Sequence, residues 1–146
     1  MRAVVAGEAG GLTTPRAPNR AARISRTALA LFFAVAGLNH FLEPKPYLAI
    51  VPPSLPGPAA LVYISGAAEI AGAVGILFKG TRKLATIGLI ALLIAVFPAN
   101  IYAALHGMQI GGRPIPSALL WARLPLQAVL IAWVYISCWN ERKLPK

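Results

Sequence analysis

The sequence is poor in charged residues and has a single cysteine. Charged residues make up 12% of its 146 residues and hydrophobic residues 58%, so the charged share is about half that of a typical soluble protein. A soluble domain of this length could not bury so much apolar surface. Cys138 has no second cysteine with which to form an intrachain disulfide or a dithiol redox pair. We expect it to be an apolar residue that faces lipid or packs between helices.

The sequence also lacks the local motifs of common catalytic and cofactor sites. It contains no phosphate-binding glycine loop, no serine nucleophile elbow and no haem attachment motif. Its two histidines, His40 and His106, do not combine with a carboxylate at the spacing of a known metal site. We therefore predict no catalytic residue and no metal, and a protein without independent catalytic activity.

Four long apolar runs dominate what remains. Each has about 20 residues, the length of helix that crosses the hydrocarbon core of a bilayer. The N-terminal residues Met1–Arg23 are rich in Gly, Ala, Thr, Pro and Arg and are predicted to form a disordered cytoplasmic tail. The sequence predicts an all-α integral membrane four-helix bundle over residues 24–140, with helices at about Ile24–Leu42, Ala59–Phe78, Leu84–Leu105 and Ser117–Trp139.

The basic residues predict how these helices are oriented. Of 14 Lys and Arg residues, eleven lie in the N-terminal tail and the start of the first run, in the turn 79–83, or at the C-terminus. The other two connections contain only Lys45 and Arg113, and Arg123 lies within the fourth run. Cytoplasmic connections carry the excess of Lys and Arg, so both termini are predicted to be cytoplasmic. The net charge of +10 is split into clusters between apolar runs, which is not the continuous basic face of a nucleic-acid-binding domain.

The two connections on the predicted outer side are rich in proline and glycine. Residues 44–58 contain six prolines, and residues 107–116 contain two prolines and three glycines. Proline disfavours helix at and just before its own position, so these segments are predicted to form short extended pieces. We expect them to cap the bundle firmly, with Ile50, Val51 and Leu55 dipping into the membrane interface.

Charged side chains occur inside two of the apolar runs. Glu69 lies near the middle of the second run, and Arg123 lies one to two turns into the fourth. A charged residue at the bilayer centre costs about 2.5–3.5 kcal/mol on insertion scales. We therefore expect both side chains to face inward and to form a bidentate ion pair. Pro98, which lacks an N–H, is expected to leave the carbonyl of Ile94 without its helical partner.

Several polar residues are expected at similar depth, in the outer half of the membrane. They form a predicted polar pocket that opens towards the extracytoplasmic side and has the carboxylate at its floor: Asn39, His40, Glu69, Asn100, Arg123 and Gln127. The pocket has three interpretations: hydrogen-bonded contacts that hold the helices together, a site for a ligand or partner, and, least favoured, a catalytic site. His40 likewise either caps a helix end or hydrogen-bonds a ligand such as a quinone carbonyl.

Three segments of the sequence carry a family resemblance. They are GLNHFLEPKPYLAIVPPSLPGPAALVYISGAAEIAG at Gly37–Gly72, GLIALLIAVFPANIY at Gly88–Tyr102 and LWARLPLQAVLIAWVY at Leu120–Tyr135. Together they resemble the DoxX-like membrane proteins over about residues 28–135. The motif points are Asn39-His40-Phe41, Pro52-Pro53, Gly66, Glu69, Gly72, Pro98-Ala99-Asn100 and Arg123–Gln127.

The resemblance implies a four-helix bundle in a bacterial inner membrane, in a family named after a subunit linked to quinone-dependent respiration. It predicts an accessory subunit of a redox or stress-related system, with a quinone as the candidate ligand. Two alternatives stay open. One is a non-catalytic interaction or assembly factor whose proline-rich cap meets a protein partner or a second copy of the chain. The other is a minimal small-molecule transporter, suggested by the intramembrane carboxylate of Glu69.

Overall fold

The structure, a computed structural model, describes residues 20–139 and is mostly helical. A single two-stranded hairpin interrupts the helices of this range. In chain order the elements are α1 (Arg20–Leu42), α2 (Lys45–Ala49), α3 (Pro58–Gly75), α4 (Arg82–Ala95), α5 (Phe97–His106), β1 (Gln109–Ile110), β2 (Arg113–Pro114) and α6 (Ser117–Cys138).

Four helical segments are long and apolar enough to cross a membrane. They are α1, α3, the combined segment Arg82–His106 that contains α4 and α5, and α6, with 18 to 25 residues each. Their outward-facing side chains are largely apolar, and Leu84, Leu42 and Val35 are 68–74% exposed. Large contiguous apolar surfaces are rare on soluble proteins but suit contact with lipid. The helices therefore indicate a membrane protein.

The four segments pack in a ring. α1 contacts α3 and α6, α4 contacts α3 and α6, and α5 contacts α6, so α3 and α6 lie diagonally across from each other. α1 and α3 approach each other closely. A Cβ atom on Gly37 would lie 2.6 Å from the carbonyl oxygen of Gly66, and one on Gly66 would lie 2.7 Å from the Cβ of His40. Small residues permit this separation, which places His40 directly against α3.

Two apolar clusters fill the interior. The first joins α1, α3, α4 and α6 and consists of Leu29, Ala30, Phe33, Ala73, Ile76, Leu89, Leu93, Val134 and Cys138. The second joins α2, α5 and α6 and consists of Ile50, Ala103, Ala104, Met108 and Leu120. Along α6, Arg123 and Gln127 come between Leu120 of one cluster and Val134 of the other. Polar residues thus separate the two apolar clusters.

The helix bounds agree with the predicted runs in the main, with three differences. α1 begins at Arg20, so the last four residues of the predicted disordered tail are helical; the rest of that tail and residue 140 lie outside the described residues. α3 ends at Gly75 instead of Phe78, because the chain turns before Arg82 begins α4. The third segment is interrupted at Val96, since Pro98 cannot donate a helical hydrogen bond.

The connection between α1 and α3 is not made of extended pieces, contrary to the prediction. Residues Lys45–Ala49 form the short helix α2, with Pro44 at the N-cap and Pro46 in the first turn. The missing N–H of proline costs nothing at the start of a helix, where the N–H has no helical partner. Ile50 also differs from expectation, because it is buried in the second apolar cluster rather than placed at the membrane interface.

The connection between α5 and α6 contains the extended pieces that the sequence predicts. Strands β1 and β2 pair antiparallel, with Gln109 opposite Pro114. Gly111 and Gly112 form the turn with φ angles of 57° and 76°. Both angles lie in the left-handed region, which glycine adopts without the steric cost of a Cβ atom.

Candidate ligand cavity

A cavity of about 170 Å³ lies among the helices, beneath the connection that contains α2. The sequence-predicted residues that line it are His40, Glu69, Asn100 and Arg123. The rest of its wall is largely apolar and includes Ile50, Val51, Leu55, Leu61, Val62, Leu92, Ala95, Val96 and Ala99. We call this space the ligand cavity. It brings together four of the six predicted pocket residues.

Two neighbours fix the orientation of His40. Its Nδ1 lies 3.0 Å from the carbonyl oxygen of Val62, and its ring stacks on that of Tyr47 with 3.9 Å between the ring centroids. A carbonyl oxygen only accepts hydrogen bonds, so we infer that Nδ1 carries a hydrogen and donates it. The other ring nitrogen, Nε2, is left facing Glu69.

One carboxylate oxygen of Glu69 has no hydrogen-bond partner among the described residues. This oxygen, Oε2, lies 3.8 Å from Nε2 of His40, beyond hydrogen-bonding distance, and the side chain is only 14% exposed. Leaving a buried polar group unsatisfied costs about 1–3 kcal/mol, so such groups are rare and call for an explanation.

Arg123 does not form the predicted ion pair with Glu69. In the described part of the chain the two side chains make no salt bridge; Nη1 of Arg123 instead lies 3.9 Å from Sδ of Met108. The cause is the arrangement of the helices. α3 lies diagonal to α6 and packs closely on α1, so the carboxylate meets His40. A thioether sulfur is a weak acceptor, which leaves the guanidinium able to bind a stronger one in the cavity.

Asn100 and Gln127 form a buried hydrogen bond between helices, as expected if the polar cluster holds the helices together. Nδ2 of Asn100 donates to Oε1 of Gln127 over 2.7 Å, and Nε2 of Gln127 donates to the carbonyl oxygen of Leu93. A backbone N–H at the end of α4 donates to the carbonyl of Ile94. This carbonyl therefore has a partner, although Pro98 cannot supply the usual helical one.

Two predicted residues lie outside the cavity, and two polar residues that line it were not among the predicted site residues. Asn39 is exposed and donates from Nδ2 to the hydroxyl of Tyr47 over 2.9 Å, and Gln127 lies behind the cavity wall. Tyr47 and Ser65 line the cavity. Ser65 precedes Glu69 by four residues, a helical spacing that could have identified it. Nothing in the sequence of the proline-rich connection marks Tyr47.

The cavity combines charged, titratable and neutral polar groups with apolar walls. Arg123 can donate, while His40 and Glu69 can each hold or accept a proton. Neutral hydrogen-bonding groups come from Tyr47, Ser65 and Asn100. Pockets for drug-sized ligands have about 300–1,000 Å³, so the observed 170 Å³ suits one ring-sized head group. The described residues contain no group of three or more His, Cys, Asp or Glu that could hold a metal ion.

Comparison with known proteins gives the family of the chain. No curated protein matches it, and no solved structure does. A family model described as a domain of unknown function, DUF8561, matches residues 29–138. The match runs from Leu29 in α1 to Cys138 at the end of α6 and includes every residue that lines the ligand cavity. The chain therefore belongs to the DUF8561 family.

Proposed function

We propose that the protein is a DoxX-like four-helix bundle of the bacterial inner membrane with both termini in the cytoplasm. Eleven Lys and Arg residues on one side, against Lys45 and Arg113 on the other, support this orientation. Consecutive membrane segments contact each other directly, and the turn between α3 and α4 is short, at residues 76–81. Short connections between neighbouring helices are typical of an up-and-down bundle.

In this proposal the ligand cavity binds the head group of a small lipid-soluble molecule that carries carbonyl or hydroxyl oxygens, and a quinone is the candidate. The protein acts as an accessory subunit of a redox or stress-related system and has no independent catalytic activity. The observation that carries the proposal is Oε2 of Glu69, which is buried beside His40 and has no hydrogen-bond partner within residues 20–139. A purely structural cluster would satisfy that atom, as Asn100 and Gln127 satisfy each other.

The residues of the cavity fit a quinone head group. Its carbonyl oxygens only accept hydrogen bonds, and Arg123 and Asn100 bring N–H donors to the cavity wall. The hydroxyl of its reduced form can donate to the carboxylate of Glu69. The ring is apolar, as are Ile50, Val51 and Leu55. A quinone would supply two-electron redox chemistry, and the side chains described here would bind its oxygens and hold protons near them.

The test is to identify the small molecules that co-purify with the protein in mild detergent. Wild type, Glu69→Gln and Glu43→Gln are extracted with organic solvent, and the extracts are analysed by mass spectrometry and optical spectroscopy. Glu43 is exposed on the connection after α1, so Glu43→Gln makes the same chemical change away from the cavity. We expect wild type and Glu43→Gln to retain a quinone or similar molecule in stoichiometric amount. We expect Glu69→Gln to lose it.

The unfolding of each variant is measured in parallel. If wild type stays empty even after incubation with excess quinone, and Glu69→Gln merely unfolds at a different temperature, then the ligand proposal is wrong. The buried carboxylate would in that case be a structural element of the α1–α3 contact.

An open groove favours a second candidate function, assembly with a protein partner. This outer groove has about 730 Å³ and lies between the two proline-containing connections, where Glu43, Lys45, His106 and Gln109 line it. Each variant is expressed in a strain that lacks the protein. If Lys45→Glu fails to complement that strain while Glu69→Gln complements it, assembly is favoured over ligand binding. The opposite pattern would favour the ligand cavity.

A further inference from the structure

A second cavity lies near the other end of α1, far from the ligand cavity. It has about 300 Å³ and is lined by Arg23, Arg26, Thr27, Leu77, Lys79 and Arg82. At 1.5 Å per residue along α1, Arg26 is about 20 Å from His40. Four of the six lining residues are basic, and we call the space the basic cavity.

In the described part of the chain, no acidic side chain lines the basic cavity. Within residues 20–139 the acidic residues are Glu43 and Glu69. Glu43 lines the outer groove and Glu69 lines the ligand cavity, so neither reaches the basic cavity. The exposed basic residues of this lining, Arg23 and Lys79, are therefore suited to an anion.

Two of the four basic residues have a structural role. Arg26 and Arg82 are 5% and 8% exposed. Nη1 of Arg26 donates to the carbonyl oxygen of Ser137 over 3.5 Å, and Nε of Arg82 donates to that of Ile76 over 2.9 Å. These carbonyls lie at the C-terminal ends of α6 and α3, where cations are favourable. Both guanidinium groups are thereby held at fixed positions in the wall.

Helix capping does not explain the other two basic residues. Arg23 and Lys79 are exposed, and their side chains make no hydrogen bond or salt bridge to the residues that the structure describes. They come from two different parts of the chain, the start of α1 and the turn before α4, yet they line the same cavity. An anion between them would be attracted by both charges.

An apolar groove leads from the basic cavity along the surface of α1. It has about 660 Å³ and is lined by Arg20, Arg23, Ile24, Thr27, Ala28 and Leu31. Arg23 and Thr27 line both spaces, so the groove and the basic cavity adjoin. Ile24 and Leu31 are 62% and 63% exposed and give the groove an apolar floor in the membrane-spanning part of the helix.

We infer that the basic cavity and this groove together bind an anionic glycerophospholipid of the cytoplasmic leaflet. The phosphate lies among the basic side chains, where arginine binds it through paired N–H donors and lysine as a point charge. One acyl chain lies in the apolar groove. Inorganic phosphate would use the basic cavity alone, so the adjoining groove favours a lipid. Basic pockets at the cytoplasmic ends of membrane helices recognise such head groups. This inference rests on the proposed orientation of the helices, but it does not depend on what the ligand cavity binds.

The test compares variants that remove two positive charges at opposite ends of the molecule. Arg23→Gln/Lys79→Gln changes the exposed basic residues and leaves the capping arginines in place. Lys45→Gln/Arg113→Gln makes the same charge change at the other end. Delipidated protein is titrated with phosphatidylglycerol or phosphatidylcholine in detergent, and bound lipid is counted by native mass spectrometry. A basic residue near the surface contributes about fivefold to anionic-lipid affinity, so we expect about 30-fold weaker binding of phosphatidylglycerol by the first variant. We expect no change for the second.

Ala28→Trp separates the lipid from free phosphate. Ala28 is exposed in the groove, so a large side chain there should weaken phosphatidylglycerol binding and leave binding of inorganic phosphate unchanged. Phosphatidylglycerol binding that Ala28→Trp leaves unchanged would remove the groove from the site and overturn the inference.

The inference is also overturned if wild type binds both lipids equally, or if the two double variants behave alike. Circular dichroism checks that each variant folds. Lys79→Gln alone, with an expected loss of about fivefold, replaces the double variant if the latter does not fold.

Discussion

Gly66→Ala tests the close packing that places His40 beside Glu69. A Cβ atom at this position would lie 2.7 Å from the Cβ of His40 and 2.8 Å from the carbonyl oxygen of Gly37. Both distances are shorter than any normal contact, and neither neighbour is the free end of a flexible side chain. α1 and α3 must therefore move apart.

The expected effect is a loss of stability. Overpacking of a packed interior costs about 1–3 kcal/mol. The better helix propensity of alanine offsets at most about 1 kcal/mol of that cost. We expect the free energy of unfolding to fall by about 1–2 kcal/mol. Because His40 is one of the displaced neighbours, retention of the small molecule in the ligand cavity should fall as well.

Gly88→Ala is the matched control. A Cβ atom on Gly88, in the middle of α4, would meet no atom within 4 Å outside its own stretch of helix. This variant should be as stable as wild type or more stable by up to about 1 kcal/mol. The assay is unfolding by sodium dodecyl sulfate in mixed micelles, followed by far-ultraviolet circular dichroism. Equal stability of Gly66→Ala and Gly88→Ala would show that the α1–α3 contact can accommodate an added methyl group. The claim that this contact positions His40 would then be refuted.

Two further predictions concern the interhelical link and the orientation. Asn100→Leu should lower the free energy of unfolding by about 1–3 kcal/mol, because Oε1 of Gln127 loses its buried donor. The double variant with Gln127→Leu should lose less stability than the sum of the two single variants. Simple additivity of the two losses would contradict a hydrogen bond between these side chains. In a Cys138→Ala background, Ser54→Cys should react with a membrane-impermeant maleimide on intact cells, and Lys79→Cys only after lysis. The reverse labelling pattern would contradict cytoplasmic termini.

The sequence predicts the number and approximate extent of the membrane helices because both depend on local composition. About 20 consecutive apolar residues suffice to cross a bilayer, whatever the helix packs against. The helix ends are less predictable, since they depend on individual residues. Pro98 interrupts the third segment at Val96, whereas Pro125 lies within the continuous helix α6. The first turn of α2 accommodates Pro46.

The partners inside the bundle could not be predicted in the same way. Depth along a helix places Glu69 and Arg123 at comparable levels, but a side-chain contact also requires that the two helices be neighbours. α3 and α6 are diagonal. Gly37 and Gly66 decide which helix Glu69 meets, because they let α1 approach α3. Their small size is visible in the sequence, but the helix that each one faces is not.

Two of the residues that predict the orientation also hold the fold together. Arg26 and Arg82 are buried and donate to carbonyl oxygens at the ends of α6 and α3. These bonds are needed whichever side of the membrane the turn 79–83 occupies, so the two arginines are weak evidence for orientation. Without them, nine basic residues still stand against Lys45 and Arg113, so the excess of basic residues still supports the proposed orientation. Replacing the exposed Lys79 should therefore weaken lipid binding without unfolding the protein. Replacing Arg82 should destabilise the fold, because it leaves the carbonyls at the end of α3 without their donor.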